Sequence, residues 1–302
     1  MIEVSNPFYG SVRLLDELSL KEQCISLQKN LNEFFGEIAV LSKTDVVNAT
    51  HMARKALKSY RAFVKLMKNC PGVNNYKEAN YLLRDLGKEF SDMRDSHVRE
   101  MLMSELNRSL ESTLLKQLIE MNDVEKEVKE NVLLSEPNHF EELSKKVKES
   151  IVLNQLFDQS EIQKPCIEES IRAAFLKSIS AYSDCSNLQT EEAFHEWRKR
   201  LKDLLNQIKL FRSEEQLLSD ERFTHIDELC EEMGMLNDMS MLKEWVEEVG
   251  SARKSMGETS GIISFLDKKI KGFQQRLLIA GEEFYHNPDT TLGGLESMIS
   301  DE

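Results

Sequence analysis

The chain has 302 residues, with 39 Lys and Arg against 53 Asp and Glu, and a formal net charge of −14. That balance argues against general attraction to nucleic acid or anionic membranes, and no apolar run reaches the roughly 18 residues of a membrane span. Only 12 Gly and 5 Pro stand among abundant Leu, Glu, Lys, Ser and Met, which points to an almost wholly α-helical protein long enough for about two domains.

In chain order, MIEVSNPFYG lacks the basic start and apolar stretch of a signal peptide. Apolar residues recurring at three- and four-residue spacing then predict helices over 12–35, 45–69, 76–103 and 105–132. A connecting helix over 140–157 follows the Pro137-Asn138 turn, and four more helices are expected over 166–184, 190–212, 220–249 and 260–285. Breaks fall at Pro71-Gly72, Asn187 and Gly257. The closing HNPDTTLGGLESMISDE holds turn formers without sustained periodicity and reads as a loose tail. Cys24, Cys70, Cys166, Cys185 and Cys230 are odd in number, scattered and never spaced as CxxC. They argue against a disulfide framework or structural zinc and for a reducing cytoplasm.

Two segments repeat. HMARKALKSYRAFVKLMK (51–68) aligns with HEWRKRLKDLLNQIKLFR (195–212), sharing His-x-x-Arg-Lys and Lys at +7 and +14. Downstream, DMRDSHV and MLNDMSM match Asp95 to Asp238, so two features stay in register over 144 and 143 residues. Such register suggests an internal duplication, with halves at 1–138 and 139–302. Asp95 and Asp238 are expected to cap a turn or pair with a facing basic residue.

At 100° per residue each segment sorts into an apolar and a basic side. Ala53, Leu57, Tyr60, Val64 and Met67 form one apolar stripe; Trp197, Leu201, Leu204, Leu205, Ile208 and Phe211 form the other. His51, Arg54, Lys55, Lys58 and Lys65 lie beside the first, with Arg61 at its edge. His195, Arg198, Lys199, Lys202 and Lys209 lie beside the second. The first segment has six Lys and Arg and no acid. The second sets six against Glu196 and Asp203, while the remaining 266 residues carry 27 basic and 51 acidic groups. Like charges at helical spacing cost a few tenths of a kcal/mol per pair, so the near absence of acids from these faces suggests an external anion as countercharge. If one copy dominates, it is the helix from His51. Tyr60 and Trp197 fall on the apolar sides, which leaves no aromatic platform for stacking bases. A ligand made chiefly of phosphates is favoured over nucleic acid.

HMARKALKSYRAFVKL, HEWRKRLKDLLNQIKLF and the downstream MRDSHV and GMLNDMSML segments resemble the conserved histidine α-helical domain family, CHAD, over roughly 12–285. The resemblance implies two four-helix bundles related by a pseudo-twofold axis, with basic residues lining a shared central surface or pore. It also implies binding of inorganic polyphosphate and, as for some members, association with polyphosphate granules; with no catalytic motif in the chain and the cysteine usage above, the expectation is a non-enzymatic binder in the cytoplasm. Carried over, the binding positions are His51, Arg54, Lys55, Lys58, Arg61, His195, Arg198, Lys199 and Lys202, with Lys65 and Lys209 as additions. The sequence departs from the family pattern at Ser59, where many members carry Arg, and after Lys202, where it reads Asp203-Leu204-Leu205-Asn206.

Two other readings compete. Glu125-Lys126-Glu127-Val128-Lys129 matches the Glu-x-Glu-x-Lys of triphosphate-processing strands, but lies in a helical, charge-rich stretch. Glu192 and His195 have the Glu-x-x-His spacing of di-metal helical bundles, shared by Glu136–His139 and Glu283–His286, although Arg198 and Lys199 beside His195 disfavour a cation. A helical scaffold meeting an acidic protein partner is a third possibility. No catalytic constellation, metal set or cofactor motif is evident, and the sequence sets no oligomeric state.

Overall fold

The computed structural model describes residues 19–110, 113–135, 138–157, 161–213, 216–217, 219–252 and 256–299. Among these the fold is all-α. α1 spans Leu20–Leu41, α2 Val46–Leu66, α3 Tyr76–Lys88, α4 Ser91–Leu110, α5 Thr113–Ser135, α6 His139–Lys148 and α7 Ile151–Asn154. α8 covers Lys164–Leu188, α9 Glu191–Ile208, α10 Glu221–Ala252, α11 Met256–Tyr285 and α12 Pro288–Ile299. The expected start of the first helix, 12–18, lies outside the described residues.

The two repeated segments become α2 and α9. Asp45 caps α2 by accepting from the Asn48 N–H at 2.9 Å, and Thr190 caps α9 by accepting from Ala193 N–H at 3.3 Å. Each side chain satisfies a helix N–H that would otherwise lack a partner. α2 and α9 pack directly on each other, α2 is flanked by α1 and α3, and α9 by α8 and α10. Every residue assigned to the two apolar stripes is buried; Tyr60, Val64, Trp197, Leu201 and Leu204 are wholly so.

The core has two parts. The larger runs from Cys24 on α1 through α2, α6, α8, α9 and the start of α10 to Leu295 on α12, so residues from both sides of position 138 share it. The smaller joins Leu102 and Met103 of α4, Leu115 and Leu118 of α5, Leu242 and Val246 of α10, and Ile262 and Leu266 of α11. It is a four-helix cluster made of the α4–α5 and α10–α11 hairpins. Beside it, Arg99 donates to Asn122 at 3.0 Å and to Glu125 at 2.8 Å, and Trp245 of α10 donates to Glu125 at 3.3 Å. Glu125 also pairs with Lys129 at 2.6 Å. The Glu-x-Glu-x-Lys string lies in α5, and its first member, Glu125, joins α4, α5 and α10.

Four expectations need correction. The connecting helix expected over 140–157 divides into α6 and α7, with Ser150 capping α7 by accepting from the Leu153 N–H at 3.2 Å. The helix expected over 76–103 divides into α3 and α4 because Phe90 turns into the core against His139 and Phe140 of α6, with centroids at 5.2 and 5.3 Å. The supposedly loose tail forms α12. Pro288 suits a first helical turn, where no N–H is needed; Leu292 and Leu295, three apart, are buried, and Arg172 pairs with Glu296 at 2.7 Å. The cysteines do form one disulfide, Cys70–Cys166, across 96 residues. It ties the turn after α2 to the first turn of α8, a proximity that spacing along the chain could not reveal. The cysteine argument for a reducing compartment falls with it.

Trp197 is the largest fully buried side chain, and its indole N–H donates to the Tyr285 hydroxyl at 3.2 Å. α11 can approach it because residue 281 is glycine: a Cβ there would lie 2.5 Å from the Tyr182 ring and 2.6 Å from Trp197. Gly281→Ala should therefore destabilise the protein by about 1–3 kcal/mol through overpacking. Gly261→Ala on the same helix, whose Cβ meets nothing within 4 Å, should be neutral or stabilising by up to about 1 kcal/mol. Chemical denaturation of both variants checks this. Non-reducing peptide mapping should recover a Cys70–Cys166 cross-linked pair, and Cys70→Ser/Cys166→Ser should lower stability by about 2–4 kcal/mol.

Candidate functional site

The α2 stripe points into a groove shared with α3. Arg54, Lys58 and Arg61 line it with Arg84 and Lys88 of α3, around a cavity of about 190 Å³. No acid is among its described lining residues, although Asp85 pairs with Arg84 at 2.9 Å and Lys88 at 3.7 Å outside it. Arg61 is half-buried; its Nε donates to Asn80 Oδ1 at 3.4 Å. Burial lowers its pKa, opposed chiefly by Asp203. His51 and Lys55 are exposed on the same helix. Partial burial, then the charges of Lys55, Lys58 and Arg54, hold the His51 imidazole below its ordinary pKa.

The α9 stripe has different surroundings. His195 and Arg198 border a cavity of about 630 Å³ against α10, together with Glu191, Glu192, Glu196 and Glu244 and an apolar floor that includes Phe194, Met233 and Leu236. His195 Nδ1 sits 3.2 Å from Asn237 Oδ1, and Asn237 Nδ2 reaches Asp238 at 3.4 Å. The downstream aspartate of the second repeat thus lies one residue from a contact of the histidine. Arg198, Lys202 and Lys209 all act electrostatically on Cys230 of α10, whose thiol burial pushes up to about 12. Across α2 the groove is cationic; across α9 the cavity carries more carboxylates than cations.

Lys65, Lys199 and Lys209, all selected from the sequence, have carboxylate partners within the fold. Lys65 Nζ lies 2.6 Å from both carboxylate oxygens of Asp203, Lys209 pairs with Asp227 at 3.0 Å, and Lys199 with Glu196 at 2.9 Å. For these, the expectation of an external countercharge is corrected: the partners come from α9 and α10. Burial lowers the Lys65 pKa, with Asp203 acting against it. The sequence reading missed Arg84 and Lys88. Their four-residue spacing on one helix face was a usable signal, but only the fold sets that face against α2.

Tyr60 and Trp197 are wholly buried, as their stripes required, and the Arg84 guanidinium lies 4.8 Å over the Tyr81 ring. Glu192 and His195 border the same cavity, yet among the described residues no three His, Cys, Asp or Glu side chains gather to hold a metal. No described helix is long and apolar enough to cross a membrane.

The model of the CHAD domain matches residues 26–247. The chain is also similar to the crystal structure of the CHAD domain from the plant Ricinus communis, at 15% identity, with 96% of each chain covered and a TM-score of 0.58. Among curated proteins none matches.

The surroundings of His51 give a direct expectation. In an NMR titration of the free protein its midpoint should fall below the 6.5 of an ordinary histidine; a midpoint at or above that value would contradict the crowding of charge on α2.

Proposed function

The chain belongs to the CHAD family, and on that footing we propose that it is a non-enzymatic binder of inorganic polyphosphate or a similarly phosphate-rich polyanion. The family is associated with polyphosphate binding in general. The observation that carries the proposal for this chain is the α2–α3 groove, which brings together Arg54, Lys58, Arg61, Arg84 and Lys88 in a protein of net charge −14. Contacts from guanidinium and ammonium groups to phosphate oxygens are charge-assisted hydrogen bonds. A chain of phosphates can engage several at once, so affinity rises with chain length.

The two basic faces contribute unequally. Arg54, Lys58 and Arg61 act with two further cations, whereas Arg198 shares its cavity with four glutamates. Capture therefore begins on α2, and granules of phosphate polymer are natural targets because they present many chain segments.

The test is calorimetric titration with long-chain polyphosphate. Arg54→Ala/Lys58→Ala should weaken binding by more than tenfold, since each lost charge-assisted bond is worth about 1.5–3 kcal/mol. Arg198→Ala should have the smaller effect. Affinity should fall steeply with salt through counterion release, and a single-stranded oligonucleotide of equal charge should compete poorly. Absence of binding, or binding indifferent to both variants, removes the proposal.

The pH dependence has a defined sign. A bound polyanion favours protonated His51 and raises its lowered pKa, so binding takes up a proton and tightens as pH falls from about 7 toward 5. His51→Ala should flatten that dependence. An unchanged slope in the variant would exclude His51 from the site.

A further inference from the structure

Along α2 the basic residues continue past the groove. Positions 54, 58, 61 and 65 recur at steps of four, three and four, so they form one stripe about 17 Å long at 1.5 Å per residue, and Lys68 follows in the 3-10 turn Met67–Asn69 that closes the helix. Its far end meets α8 and α9 in a second, smaller cavity of about 100 Å³, separate from the groove and lined in part by Lys65, Lys68, Lys177, Arg200, Asp203 and Gln207. We propose that this pocket is a site for one phosphate-sized oxyanion, either free phosphate or the terminal phosphate of a chain; the second source rests on the polyphosphate reading above.

Four cations, from α2, the 3-10 turn after it, α8 and α9, converge there with one carboxylate among the described lining residues. That carboxylate, Asp203, is held through both oxygens by Lys65 at 2.6 Å, so its charge is already matched. Lys68, Lys177 and Arg200 remain. Glu196 contacts Arg200, but it also serves Lys199 at 2.9 Å and borders the other cavity. The three cations affect one another: the Lys177 pKa is lowered by burial, then by Lys68 and Arg200, with Asp203 opposing. In a protein with 14 more acidic than basic groups, an anionic ligand accounts for that convergence.

A second observation points the same way. Gln207 on the pocket wall is only 4% exposed, and its Oε1 has no hydrogen-bond partner. A buried amide oxygen without a donor costs free energy, and with an oxyanion in the pocket a half-turn about the last side-chain bond would present NH2 to it instead. Size sets the ligand class. At about 100 Å³ the pocket is about half the size of the groove, which suits one tetrahedral oxyanion rather than a run of phosphate chain. The walls are fixed in advance: Cys70–Cys166 ties the turn after Lys68 to α8, and Ser170 on the pocket wall donates to the Cys166 carbonyl at 3.0 Å.

The experiment titrates orthophosphate into wild type, Lys177→Ala/Arg200→Ala, and Lys268→Ala/Lys271→Ala. The last removes two exposed charges from α11. Calorimetry should give one saturable site in wild type and in the α11 variant, weakened at least tenfold in Lys177→Ala/Arg200→Ala. Circular dichroism confirms that each variant is folded. No saturable binding, or equal binding in all three proteins, overturns the site. Polyphosphate with its terminal phosphates blocked separates the two sources. If chain ends are the ligand, blocking lowers wild-type affinity to that of Lys177→Ala/Arg200→Ala; if the ligand is free phosphate, blocking changes nothing while orthophosphate still binds. Failure of the groove reading would show in Arg54→Ala/Lys58→Ala with polyphosphate and would leave the orthophosphate result intact.

Discussion

The burial of one side of α2 and one side of α9 in a common core fixes the azimuth of every charged residue on those helices. Tyr60, Phe63, Trp197, Leu201 and Leu204 are wholly enclosed, and each such side chain contributes about 1.5–3 kcal/mol. Repulsion between neighbouring cations on the opposite side costs only tenths of a kcal/mol per pair. The apolar term wins by a wide margin, so neither helix can roll to disperse its charge. The basic stripes are held where the core puts them, and their repulsion has to be relieved by neighbouring helices or by a ligand.

The neighbours do this differently around the two helices. α10 offers Asp227 to Lys209, and its Glu244 joins Glu191, Glu192 and Glu196 around His195 and Arg198. α3 instead adds Arg84 and Lys88 to the cations of α2. Two segments that match at His, Arg and Lys therefore face opposite electrostatic surroundings. Asymmetry of this kind comes from the partner helix, and the helix sequence alone carries only a trace of it in Glu196 and Asp203.

Periodic features were legible and singular ones were not. The spans and buried sides of α2 and α9 follow from apolar residues at three- and four-residue intervals, because burial of that stripe dominates the energetics. The break before α4 depends on Phe90 finding His139 and Phe140 on α6. α12 depends on Leu292 and Leu295 finding a core assembled from distant segments. The Cys70–Cys166 bond and the Lys65–Asp203 pair join residues 96 and 138 positions apart. At the candidate site, Arg54, Lys58 and Arg61 were visible as a stripe. Arg84, Lys88, Lys68 and Lys177 were not, because their relevance arises only where α3 and α8 are laid against α2. Arg200 stood in plain view between Lys199 and Leu201, but the 100° step turns it away from the stripe and toward α8.

Asp203 shows how one departure from the family pattern can be absorbed by the fold. Judged along α9 alone, an acid at this position subtracts from a basic face. In three dimensions it crosses to α2 and engages Lys65 with both oxygens. Both side chains are about three-quarters covered or more, so each would cost free energy without the other. The pair ties the first repeated helix to the second at their contact. It also removes the one lysine of the α2 stripe that burial would otherwise leave without a countercharge. Lys68 and Arg200 can then stand on either side of a matched pair rather than of an unmatched ammonium. The acid that weakens the second basic helix as an isolated surface is thus what allows cations from α2, α8 and α9 to share one pocket.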